Sequence, residues 1–141
     1  MGAFTYILVA YDGSPHSEKA LSKAADIARC SNAAVQIVCA YDKVPSYLGE
    51  PNMQHMIDRV VIEAREKVEA AAHRLREEGV TVSTNVLEGP APEAILRVAE
   101  NEPFDLIVLG SRGFGQFQGL LMGSVSDRVM HHAKIPVLIV R

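Results

Sequence analysis

Apolar residues along the chain follow two alternating rhythms. Tyr6–Tyr11 (YILVAY) is a continuous apolar run too short for a helix, closed by the turn formers Asp12-Gly13-Ser14-Pro15. Such a run reads as a strand buried on both faces. From His16 to Ser31, Ala20, Leu21, Ala24, Ala25 and Ala28 recur at helical spacing, with Ser14 placed to cap and Pro15 at the first helical position. Val35–Ala40 reads as a second strand, and Tyr41–Pro51 as a loop. A long helix is expected from Met53 to Glu78, with Ile57, Val60, Val61, Ala64, Val68, Ala71, Ala72 and Leu75 on one face. Gly79 stops it. Val80, Val82, Thr84 and Val86 then alternate with polar or small residues, as in a less covered strand at a sheet edge. Gly89-Pro90-Ala91-Pro92 opens a short helix through Asn101, and Leu106–Leu109 is again a buried strand. The loop Gly110–Gly123, a helix from Ser124 to about Ala133 and a last strand Val137–Val140 complete the pattern.

Strands alternating with helices imply parallel pairing through right-handed crossovers, with helices on both faces of the sheet. The expected fold is an open, doubly wound α/β domain around a five-stranded parallel sheet. Ligands of such sheets sit beyond the carboxyl ends of the strands, where strand order reverses. If the first three strands grow outward and the chain then returns, the fourth lies beside the first. The loops at Asp12–Pro15 and Gly110–Gly123 then face each other across a crevice.

Composition narrows the function classes. A chain of 141 residues can bury one sizeable core without disulfides or metals. With 48% hydrophobic residues and a net charge of -3, it offers no bulk attraction to nucleic acid or anionic lipid. Cys30 and Cys39 form no CxxC pair and are expected to be small buried hydrophobes in a reducing compartment. His131 and His132 are adjacent and point apart on a helix, and His16, His55 and His73 are scattered, so no metal site is expected from them. The only early apolar run, Tyr6–Ala10, is too short for a leader or a membrane span. A cytoplasmic location is expected.

Gly110-Ser111-Arg112-Gly113 leaves the fourth strand, and Gly123-Ser124 opens the following helix. Glycine lets a ligand approach the backbone closely, and the first N–H groups of a helix favour an anion. Ser124 is expected to cap that helix. The same glycines would equally suit a surface loop, and the residues alone leave both readings open. Better-known phosphate loops do not fit: no Gly-Lys pair exists, and Gly113-Phe114-Gly115 is followed by Gly119 one position late for GxGxxG. A serine-hydrolase elbow fails because Leu109 stands where its first glycine belongs. A receiver-type domain would want an aspartate closing the third strand, which here ends Val86-Leu87-Glu88.

The pattern Gly110-x2-Gly113-x9-Gly123-Ser124, after a strand followed by Asp12-Gly13-Ser14, resembles the ATP-binding branch of the universal stress protein (UspA-like) family over the whole chain. The resemblance implies a nucleotide-binding, adenine-hydrolase-like fold with strand order 3-2-1-4-5. It implies ATP, ADP or AMP as ligand. By position, Asp12 would contact the ribose end, backbone around Ala40 the adenine, and Gly110 the ribose. Gly113, Gly123, Ser124, Val125 and Ser126 would hold phosphates, with Ala10, Tyr11 and Leu109 alongside. Arg112 is the only cation in Gly110–Gly123 and could reach phosphates, and Asp12 could touch Mg²⁺. Residues 114–122 are expected to be a lid or a partner surface. Without a second acid or a base in either loop, the reading is a regulatory or sensing protein with little or no hydrolysis. A slow ATPase and a nucleotide-independent interaction module are the alternatives. The last strand, Val137–Arg141, carries no charge before Arg141 and would be an open edge in a monomer, which points to a homodimer.

Overall fold

The computed structural model describes residues 2–113 and 122–141. The expected lid or partner surface lies, but for Met122, outside them. The strands are β1 (Tyr6–Ala10), β2 (Ala34–Tyr41), β3 (Thr81–Glu88), β4 (Leu106–Gly110) and β5 (Val137–Val140). The helices are α1 (Pro15–Ser31), α2 (Asn52–Glu77), α3 (Ala91–Asn101) and α4 (Ser124–His132). All strand pairs are parallel, in the order β3-β2-β1-β4-β5, so β3 is an edge strand as its sequence alternation suggests.

Successive strand residues point to opposite faces, and each face has its own core. Ile7 and Val9 of β1 pack with Ala20, Leu21, Ala24, Ala25 and Ala28 of α1 and with Val68, Ala71, Ala72 and Leu75 of α2. Leu8 joins Val38, Ile107 and Leu109 against Ile95 and Val98 of α3 and Val129 of α4. The alanine stripe of α1 lets that helix lie close to the sheet. At their amino ends β1 and β4 are tied by Asp105, whose carboxylate accepts from Thr5 N–H at 2.8 Å and Tyr6 N–H at 3.2 Å. Burial resists ionisation there, but those donors and the Thr5 hydroxyl outweigh it and hold the carboxyl below its usual range.

Two expectations change. Cys39 is buried on β2, but Cys30 is exposed near the end of α1, on the side of the helix away from the alanine stripe. On α2, Ile57, Val60 and Val61 are only half-buried, and full burial starts at Ala64. The front of this long helix therefore runs past the body of the sheet, while its rear half carries the packing.

Candidate functional site

Because every strand runs the same way, the four loops that follow β1 to β4 gather at one side of the sheet. Strand order reverses between β1 and β4, and there a cleft enclosing about 550 Å³, open mouth included, lies at the strand ends.

The β1 exit forms one lip. Ser14 caps α1, its hydroxyl oxygen accepting from Ser17 N–H at 3.3 Å, and Pro15 begins the helix where a missing N–H costs nothing. Asp12 turns back on this cap: Oδ1 accepts from Ser14 N–H at 2.9 Å. No donor among the described residues reaches Oδ2. This second oxygen faces Gly113, where an added Cβ would stand 2.7 Å from it. Gly113 therefore matters for close approach, since any side chain would displace the carboxylate.

The opposite lip is built around one carbonyl. Ser111 O accepts from Gly123 N–H and from Ser126 Oγ–H at 2.9 Å, which brings both ends of the glycine-rich segment together. Ser111 N–H in turn donates to Val140 O at 2.7 Å, tying the segment to β5. The first bond of α4 runs from Asp127 N–H to Gly123 O at 3.0 Å. The N–H groups of Ser124, Val125 and Ser126 thus lack helical partners, and no side chain among the described residues caps them. Three main-chain donors and the positive end of the helix dipole stand beside the cleft.

One sequence expectation is corrected here. The cap of α4 is Gly123, and Ser124 is its first helical residue. Gly123 N–H is already committed to Ser111 O, so it has nothing left to donate. The Ser126 hydroxyl is buried and its one proton lies between Ser111 O at 2.9 Å and Gly123 O at 3.1 Å, leaving its N–H as the donor free for a ligand. Gly110 also has a packing reason to be glycine. A Cβ there would stand 2.7 Å from the His16 carbonyl carbon and 2.8 Å from its oxygen, in the first turn of α1.

Ala10, Tyr11, Asp12, Ala40, Leu109, Gly110, Arg112, Gly113, Gly123, Val125 and Ser126 all line the cleft. Of the residues singled out by sequence, Ser124 alone does not, and it is exposed beside it. Sequence reasoning missed Ser17, Val38, Ala91 and Ile95. Val38 could have been found, being two positions before Ala40 and so on the same strand face. Ala91 and Ile95 lie one turn apart on α3, and only the strand order brings that helix over the cleft.

The lining is zoned. On the β2 and α3 side Val38, Ala40, Ala91 and Ile95 offer apolar surface. The β1 and β4 exits bring Asp12 and Arg112, and Arg112 makes no ion pair among the described residues. Beneath the lip, burial and the adjoining Glu18 carboxylate push the Tyr11 phenol up to about 12, so it stays a neutral donor to Glu18.

An open α/β domain with a switch-point cleft, an acidic lip and an amide-bearing helix start is the class that this fold and site define. The universal stress protein family model matches residues 3–141, and the chain belongs to that family. It is 42% identical over 142 residues to a Thermus aquaticus protein described as "Universal stress protein in QAH/OAS sulfhydrylase 3′region", covering 98% of this chain and 99% of that one. Hypothetical protein MJ0577 of Methanocaldococcus jannaschii has a similar structure, with a TM-score of 0.89, 27% identity and coverage of 97% and 95%. A universal stress protein solved in complex with cAMP matches at a TM-score of 0.77, 27% identity and 99% coverage of each chain.

Proposed function

We propose that this chain binds an adenine nucleotide, ATP or its di- or monophosphate, in the cleft, as a regulatory ligand with little or no turnover. One observation carries the reading: the N–H groups of Ser124–Ser126 and Asp12 Oδ2, which have no hydrogen-bond partner among the described residues, stand at one cleft. Amides suit phosphate oxygens, and a carboxylate suits ribose hydroxyls. The apolar side made by Val38, Ala40, Ala91 and Ile95 suits a base. The cAMP complex of a related protein supports an adenine nucleotide as the ligand class.

The residues fit such a ligand better than they fit a hydrolase. Among the described residues Asp12 is the one carboxylate lining the cleft, and the sequence of residues 114–121 contains no acid or histidine to position water. Any Mg²⁺ would rest on Asp12, phosphate oxygens and water, a donor set that Mg²⁺ accepts. Arg112 would meet the phosphate charge.

Partnership with a second copy belongs to the same reading. Among the described residues β5 pairs only with β4, and Val137–Val140 are each half-buried at the sheet edge. A β5–β5 contact would remove that edge. Among the described residues no helix is long and apolar enough to cross a membrane.

The test is purification without added nucleotide, denaturation and mass identification of what is released. An adenine nucleotide, or tight uptake of added ATP, is expected. A protein that is empty and also ignores ATP contradicts the reading and favours an interaction module that works without nucleotide. Light scattering on the same preparation is expected to give twice the monomer mass, and the monomer mass would rule out the pairing.

A further inference from the structure

We propose that Lys67 of α2 is a positioning residue that sets the ribose selectivity of the cleft through Asp12. The inference rests on the adenine-nucleotide reading above. Lys67 does not line the cleft. Its ammonium donates to the Asp12 carbonyl at 3.0 Å, and its stem lies over Gly13, where a Cβ would be 3.2 Å from Cδ. Gly13 has φ +83, so the chain leaves Asp12 through a turn that L side chains rarely adopt, with a lysine stem closing it from outside.

Two turns further along α2, Arg74 donates to the Tyr11 hydroxyl at 3.3 Å and to Glu18 at 2.9 Å. One stripe of α2 thus holds both residues that leave β1: Tyr11 by its side chain, Asp12 by its carbonyl. Within its own loop, Asp12 has only the Ser14 N–H on Oδ1 to orient its carboxylate. That single bond leaves the side chain free to pivot with its own peptide unit. Lys67 pins that peptide, and with it the direction of Oδ2 toward Gly113. Without the ammonium, the Asp12–Gly13 peptide can turn and Oδ2 no longer waits where ribose hydroxyls would arrive. The loss falls on the hydroxyl contacts and spares the base and phosphate contacts, which other elements supply.

The test compares ATP with dideoxy-ATP, which lacks both ribose hydroxyls, by calorimetric titration of wild type, Lys67→Met and Lys67→Arg. Wild type is expected to prefer ATP. Lys67→Met should bind ATP roughly tenfold more weakly, about one charged hydrogen bond's worth, and dideoxy-ATP unchanged, so that the preference collapses. Lys67→Arg, which keeps a long stem and a donor, should restore most of it. Lys67 is exposed, so the fold tolerates both changes. A Met variant that keeps the full preference, or that weakens both ligands equally, overturns the inference while leaving the nucleotide reading intact. A wild-type protein that binds neither ligand overturns both.

Discussion

Gly110→Ala is expected to destabilise the protein by about 3 kcal/mol, at the upper end of what overpacking usually costs. The added methyl would meet main-chain atoms of His16 at 2.7 and 2.8 Å, and those atoms belong to the first turn of α1. That turn cannot simply yield, because Ser14 O accepts from Glu18 N–H at 2.9 Å and Ser14 caps Ser17. The helix would have to slide off the sheet along its alanine stripe. For a domain of this size such a loss lowers the thermal midpoint by roughly 10 °C. Scanning calorimetry of the variant measures it. A midpoint within a degree or two of wild type would mean that α1 does not press on β4 as described.

Gly113→Ala is expected to do the reverse, sparing stability and removing affinity. Its methyl would come 2.7 Å from Asp12 Oδ2, the far end of a side chain that can swing away. Among the described residues nothing else lies near except the Asp12 carboxyl carbon at 3.9 Å, so the fold should lose no more than about 0.5 kcal/mol. Swinging away takes the carboxylate off the position where it would accept ribose hydroxyls. A hydrogen bond to a charged group is worth about 1.5–3 kcal/mol, so ATP affinity should fall roughly ten- to a hundredfold. Paired calorimetry and melting curves separate the two glycines. Equal affinity in the variant and wild type would remove Asp12 from the site.

These two residues show where sequence stops being legible. Both belong to one motif, and by position both could be assigned to the ligand. The structure adds a packing duty to Gly110 through a helix ninety-odd positions earlier in the chain, while a Cβ at Gly113 would meet, among the described residues, only the Asp12 side chain. Such differences arise from tertiary approach and leave no local signature. The strands were readable because each is an apolar run bounded by turn formers, and α1 because Ser14 and Pro15 announce it. The cap of α4 was misread for a related reason. Gly123 and Ser124 are both acceptable caps locally, and the choice is made by Ser111 O, which draws in Gly123 N–H and the Ser126 hydroxyl.

Lys67 was illegible for the opposite reason. It sits beside Val68 on the outward side of an amphipathic helix, where a lysine needs no explanation. Only the passage of α2 over the β1 exit gives it a partner. Val38 and Ile95 belong to the core and Ala91 packs half-buried against it, and the cleft borrows their ends as an apolar side. Cys30 misled because its helix position was judged by residue type instead of by the alanine stripe that defines the buried face.

The central claim is that main-chain N–H groups at the start of α4, opposite Asp12, take hold of an adenine nucleotide. An amide-resolved NMR titration with ATP tests it most directly. The largest shifts are expected on Ser124, Val125 and Ser126, with Gly113 and Asp12 moving at the same ligand concentration. Saturating ATP that leaves those amides where they were, or that moves only residues outside the cleft, would contradict it.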